Sequence, residues 1–135
     1  MVDFKNIKTF VVIGAGTMGR EIAQVALMAG FEKVVLNDIK QEVIEDASEY
    51  IYDGLNRLEN KGLLSEIQKT DILMTHLIKE SDLKKAVKNA DFIVEAIPEI
   101  MELKQDLFHK LDNIAPTHAI FATNTSTMSL SLIHI

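Results

Sequence analysis

Cysteine is missing from the 135-residue chain, which excludes disulfides, thiolate metal sites and a cysteine nucleophile and fits a reducing compartment. Arginine occurs only twice, and a formal net charge of −6 argues against a nucleic-acid-binding surface. No apolar run approaches the ~18 residues that a membrane span needs. The opening MVDFKNIK lacks the hydrophobic stretch of a secretory leader, so the expected location is the cytoplasm or an organelle matrix. Linkers rich in Gly, Pro or Ser are absent as well, so residues 1–135 are expected to form one domain. What remains, 47% hydrophobic and 25% charged, is the composition of a soluble globular chain with enough apolar residues for a core.

The most informative stretch runs from Phe10 to Asp38. Phe10-Val11-Val12-Ile13 reads as the end of a buried parallel strand beginning at Ile7, and it breaks at Gly14-Ala15-Gly16-Thr17-Met18-Gly19. This is the G-x-G-x-x-G order of a dinucleotide-binding turn. Gly14 permits the tight exit from the strand, Gly16 lets backbone approach a pyrophosphate, and Gly19 removes a side chain where helix crosses sheet. A helix over Thr17–Ala29 follows, with Met18, Ile22, Ala26 and Ala29 expected on its inner face and Gly30 as its cap. Its N-terminus offers unpaired N–H groups and a positive dipole end to phosphates. A second strand, Lys33–Asn37, leads to Asp38, 24 residues after Gly14 (38 − 14), where a carboxylate can hold a ribose 2′-hydroxyl and would repel a 2′-phosphate. NAD is therefore the expected cofactor, in preference to NADP.

Downstream, Lys40–Lys61 carries Val43, Ala47, Ile51, Leu55 and Leu58 at helical spacing and ends at Gly62. At ~1.5 Å per residue such a helix outruns a sheet and should project beyond it. Leu63–Asp71 reads as a turn with a short helix, in which Ser65 and Gln68 could form a capping box. Leu73–Ile78 has strand character, Ser81 is placed to cap a helix over Asp82–Lys88, and Phe92–Ile97 is a clear strand stopped by Pro98. A helix over Glu99–Asn113, with Ile100, Leu103, Leu107, Phe108 and Leu111 inward, precedes Pro116 and a fifth strand, Ala119–Thr123. The alternation of strands and helices specifies an α/β fold, a Rossmann-type doubly wound parallel sheet. Ligands in such sheets bind outside the carboxyl ends of the strands, which brings together the glycine turn, Glu95–Glu99 and Asn124–Thr127.

Taken together, GAGTMG, Asp38, VEAIPE at 94–99, Lys104 and NTST at 124–127 resemble the NAD-binding domain of the L-3-hydroxyacyl-CoA dehydrogenases, a family that includes the 3-hydroxybutyryl-CoA dehydrogenases. The resemblance covers essentially the whole chain. It implies an enzyme interconverting (S)-3-hydroxyacyl-CoA and 3-oxoacyl-CoA with NAD, in fatty-acid or butyrate-type metabolism. It further implies that Gly14 to Gly19 and Asp38 hold the cofactor, that Glu99, Lys104 and Asn124 line its nicotinamide side, and that Ser126 hydrogen-bonds the substrate's 3-oxygen. The projecting helix becomes part of a helix-turn-helix arm for the CoA end, with Lys61 a candidate for its phosphate or adenine. The family often carries a serine where this chain has Gly54, and a different residue where it has Pro98. A helical C-terminal domain, which also makes a homodimer, is implied beyond these residues.

The family's catalytic histidine, in an H-F-F-N-P-like segment downstream of the serine, and the glutamate that orients it are not among the 135 residues. Oxidising the 3-hydroxyl requires a base for the alcohol proton, and a serine alone is a poor one. None of His76, His109, His118 or His134 has the segment's context, and each is read as structural or solvent-facing. No histidine pair with a carboxylate companion suggests a metal. Two rival readings stay open: a stand-alone NAD-binding module without catalysis, and a related hydroxyacid dehydrogenase that uses no CoA.

Overall fold

The computed structural model describes residues 7–97 and 101–123. Five strands lie parallel in one sheet: β1 (Thr9–Ile13), β2 (Lys33–Asn37), β3 (Leu77–Lys79), β4 (Phe92–Glu95) and β5 (Ile120–Thr123), in the order β3-β2-β1-β4-β5. The helices are α1 (Thr17–Ala29), α2 (Gln41–Asn60), α3 (Thr70–Met74), α4 (Leu83–Val87) and α5 (Met101–Ile114). From β1 the chain builds outward through β2 and β3, then returns to the other side of β1 for β4 and β5. The strand order thus reverses between β1 and β4, the switch point where such sheets bind ligands.

Both faces of the sheet are covered, which is why β1 and β2 read as continuous apolar runs. Val12, Val34 and Leu36 point into a core closed by Ala23, Ala26 and Leu27 of α1 and by Ile44, Ala47, Ile51 and Leu55 of α2. Val11, Ile13, Val35 and Ile93 point the other way, onto Ala86 and Val87 of α4 and Leu107 and Leu111 of α5. Phe10 bridges β1 to its neighbours, its ring 4.9 Å from Phe31 and 5.2 Å from Phe92.

Several local expectations shift. The buried stripe of α1 is Gly19, Ala23, Ala26 and Leu27. Small residues let α1 lie close to the sheet; of the expected face, Ala26 is buried and Ile22 packs partly buried against the core, while Met18 and Ala29 are exposed along an open apolar groove with Val25, Phe10 and Phe31. Leu103, expected inward, is exposed. The segment expected as a strand over Leu73–Ile78 divides into α3 and a short β3, because the Glu59 carboxylate accepts the Thr70 N–H at 2.8 Å and Leu73 plugs the core beside α1 and α2. Ser65 and Gln68 form no capping box: their side chains meet at 3.4 Å, while the Gln68 amide donates to the Met28 carbonyl at 2.8 Å. The cap of α4 is Asp82, not Ser81, since its carboxylate accepts the Lys85 N–H at 3.0 Å.

The end of α2 follows from its sequence. Gly62 takes φ +72°, its N–H bonds Glu59 and the Leu63 N–H bonds Leu58, the paired carbonyl contacts of a Schellman ending. At 20 residues α2 spans ~30 Å and is buried against the core from Ile44 to Leu55, and the turn carrying Gln68 brings α3 back against α1 and α2. Among the described residues no helix is long and apolar enough to cross a membrane.

Candidate functional site

The site is built on the exit from β1. Three parallel strands end level there, with Ile13 registered between Asn37 of β2 and Glu95 of β4. The Gly14 N–H donates to the Asn37 carbonyl at 2.8 Å, and the Ala96 N–H donates to the Ile13 carbonyl at 2.7 Å. The turn is therefore tied to both neighbouring strands before α1 begins. Asn37 is itself buried, its amide donating to the Glu80 carbonyl at 2.9 Å.

The three motif glycines have different reasons to be glycine. Gly14 has φ +101°, and a Cβ there would lie 2.8 Å from the Ala96 carbonyl oxygen. A Cβ on Gly19 would fall 1.7 Å from the Gly14 carbonyl oxygen, a clash the backbone cannot absorb. Gly19 is thus required by the turn itself, more than by the helix crossing the sheet. Gly16 has ordinary extended backbone, and a Cβ there would meet nothing within 4 Å. The protein does not need its smallness, so the open space before it is room for a ligand. Thr17 and Met18 begin α1, no side chain caps this helix, and no acid occupies its first turn. Its first N–H groups remain available to an anion.

Asp38 stands one residue past β2. Its carboxylate accepts the Ala15 N–H and the Lys40 N–H, each at 3.0 Å, and remains half-buried at the rim. A carboxylate has about four lone-pair positions, so these two bonds fix its direction and leave capacity for a ribose hydroxyl. The residues present fit a dinucleotide: uncapped helix N–H groups, open space at Gly16 and a braced carboxylate at the end of the second strand.

On the other side of β1 the structure places Lys104 differently from an open cofactor-lining lysine. Its side chain is buried, with the ammonium donating to Glu95 Oε1 at 2.7 Å, while Glu95 Oε2 accepts the Ile97 N–H at 3.1 Å. The pair sits at the carboxyl edge of the sheet but inside the protein, so Lys104 is joined to that edge only through buried contacts such as the one with Glu95. A carboxylate inside the apolar FIVEAI run was the signal for this pair, because a charge buried there demands a partner. Glu99, Asn124 and Ser126, like His134, lie outside the described residues. Lys61 is exposed at the C-cap of α2. Gly54, in contrast, is buried against Gln24 of α1, where a Cβ would meet the amide oxygen at 2.6 Å.

His76 occupies the turn before β3, its ring against the Glu32 carbonyl at 2.8 Å, and His118 bonds Asp91 at the amino end of the sheet. His109 is exposed on α5. Among the described residues no cluster of three or more His, Asp or Glu side chains could hold a metal.

This architecture defines a Rossmann-type dinucleotide-binding domain. More particularly, residues 9–134 match the family "3-hydroxyacyl-CoA dehydrogenase, NAD binding domain", and the chain belongs to that family. It is 36% identical over 129 residues to the rat mitochondrial hydroxyacyl-coenzyme A dehydrogenase, covering 93% of this chain and 41% of that protein. A probable 3-hydroxybutyryl-CoA dehydrogenase of Deinococcus radiodurans is 39% identical over 122 residues, covering 90% of this chain and 42% of that protein. The crystal structure of 3-hydroxybutyryl-CoA dehydrogenase from Escherichia coli K12 superposes with a TM-score of 0.88 at 36% identity, covering 95% of this chain and 26% of that one. The chain thus spans less than half the length of the relatives it matches.

Proposed function

We propose that the chain binds NAD on the Gly14–Gly19 turn and supplies the cofactor half of an enzyme interconverting (S)-3-hydroxyacyl-CoA and 3-oxoacyl-CoA. The observation that carries this reading is the open space at Gly16 between a helix start that no side chain caps and a carboxylate braced by the turn. When bound, NAD supplies the hydride acceptor for the substrate carbon. Asp38 holds the adenosine ribose, and the N–H groups at the start of α1 hold the pyrophosphate. Glu99 and Asn124 are assigned to the nicotinamide side, with Lys104 acting from behind through Glu95.

Ser126 is assigned to the substrate's 3-oxygen, which it positions and polarises. The alcohol proton needs a base stronger than a serine hydroxyl, and among the described residues no histidine lies at the ligand edge, so the acid–base group comes from outside them. Lys61, at the end of the arm, is assigned to the CoA phosphates or adenine. The working form is a homodimer made through a further domain, located in the cytoplasm or an organelle matrix.

Fluorescence titration with NADH and NADPH tests the cofactor assignment, with tighter NADH binding expected; equal affinities would overturn it. An assay of acetoacetyl-CoA reduction by the 135 residues tests the division of labour. No turnover is expected, and measurable turnover would mean that the acid–base group is already in this chain. Binding of acetoacetyl-CoA in competition with free CoA supports the CoA assignment, and indifference to CoA would favour a hydroxyacid substrate without it.

A further inference from the structure

One of the two arginines lies directly behind the phosphate turn. Arg20, in the first turns of α1, donates from Nε to the Gly16 carbonyl and from Nη2 to the Ala15 carbonyl, both at 3.2 Å. Its guanidinium lies 5.4 Å from the centroid of the Tyr50 ring on α2. Among the described residues no carboxylate forms a salt bridge with it, and Asp38, the acid of the motif, is engaged by the Ala15 and Lys40 N–H groups.

The two carbonyls belong to the peptide units whose N–H groups are those of Gly16 and Thr17. In a trans peptide C=O and N–H point in opposite directions, so a cation on the carbonyl side leaves the N–H side free. It also polarises those units, which strengthens the N–H groups as donors. The setting makes this useful, because a chain of net charge −6 repels a dianionic pyrophosphate as a whole. A cation fixed behind the turn reverses the local sign where the phosphates are to sit.

We propose that Arg20 is a positioning residue for the dinucleotide: it braces the glycine turn and supplies the charge that draws the pyrophosphate to it, while Tyr50 keeps the guanidinium in place. The proposal rests on the reading of the turn as the cofactor site. It also couples α2, and with it the substrate arm, to the nucleotide turn through the Arg20–Tyr50 stack.

The test is NADH titration of the full chain and of R20Q and R20K, at low salt and near 1 M NaCl, with thermal melts as a control for folding. R20Q should bind NADH about five- to tenfold more weakly at low salt, and the gap should close to about twofold at ~1 M, where charges a few ångströms apart are screened. R20K, which keeps the charge without the fork, should hold to within about threefold of the parent at low salt. Equal binding by R20Q and the parent at low salt would overturn the proposal. So would a deficit unchanged by salt, which would leave Arg20 a neutral brace. Should R20Q fail to fold, Tyr50→Ala gives the same readout, since releasing the guanidinium should weaken low-salt binding and flatten the salt dependence; parental behaviour would overturn the proposal. Failure of the parent chain to bind NADH would instead remove the cofactor reading.

Discussion

Asp38 and Glu95 flank β1 at almost the same height of the sheet, one just past the end of β2 and the other at the end of β4. Their surroundings are opposite. Glu95 is 1% exposed and joined to the Lys104 ammonium and the Ile97 N–H. Asp38 is held by two backbone N–H groups and keeps part of its carboxylate at the rim beside the open space at Gly16. A carboxylate whose charge is matched inside the protein fixes structure, whereas one braced by amides and left partly open can add a ligand. Position at the carboxyl edge is thus shared by both acids, and what separates them is the partner. Substitutions should split the same way, with Glu95 governing stability and Asp38 governing binding.

The largest expected effect is on the buried pair. Glu95→Gln or Lys104→Met alone should cost about 3–5 kcal/mol of stability, the usual loss when one member of a buried ion pair is removed. A Glu95→Leu/Lys104→Met double variant should recover a substantial part of that loss, since an apolar pair carries no desolvation penalty. Urea unfolding of the two singles and the double gives the coupling directly; additive losses would mean that the pair does not act as a unit.

Next in size is Gly16→Val. The site has extended backbone and no protein atom in reach, so folding stability should change by less than about 1 kcal/mol. NADH affinity should fall by about a hundredfold or more, equivalent to about 2.8 kcal/mol, as the side chain fills the pyrophosphate space. A folded variant with normal NADH affinity would place the cofactor elsewhere. Asp38→Ala should weaken NADH about tenfold and narrow its advantage over NADPH, at a stability cost of about 1 kcal/mol for the lost amide bonds. An unchanged preference between the two cofactors would remove Asp38 from the ribose.

Much of this arrangement is legible in the sequence. The apolar runs of β1 and β2, the glycine turn between them and the acid at the end of β2 are all local signals, and local signals specify the element order. The pairing of Glu95 with Lys104 is not local: it depends on how α5 packs over β4, and only the oddity of a glutamate in an apolar strand hints at it. Face assignment on α1 holds for Ala26 and partly for Ile22, and misses Met18 and Ala29 for a related reason. Met18 is far more hydrophobic than Gly19, but Gly19 and Ala23 face the sheet because close approach selects small side chains over apolar ones. The 70–79 segment is ambiguous because a run as short as Ile72-Leu73-Met74 fits either period, and the Glu59 carboxylate decides it from a distance.

A third carboxylate, Asp91, lies just before β4, at the opposite end from Glu95, and provides the smallest and most selective test. Its Oδ2 accepts the Lys8 and Thr9 N–H groups at 2.9 Å each, and its Oδ1 lies 2.7 Å from His118 Nε2, so it stitches β1 to the approach of β5. Burial pushes this carboxyl's pKa up, but the bonds from Thr9, His118 and Lys8 outweigh it and hold the group below the ordinary carboxylate value. A depressed folded value means that the ionised form stabilises the fold above the unfolded pKa of about 3.9, and that this contribution is lost as pH falls through the folded value. Asp91→Asn should therefore cost about 1–2 kcal/mol near neutral pH, with the gap to the parent shrinking below about pH 4. NADH affinity should not change, because Asp91 lies at the amino edge of the sheet. Urea midpoints across that pH range and one NADH titration suffice. A stability gap that persists in acid would mean that shape and not charge makes the Asp91 contacts matter, while a loss of NADH affinity would show that the two ends of β4 are not independent.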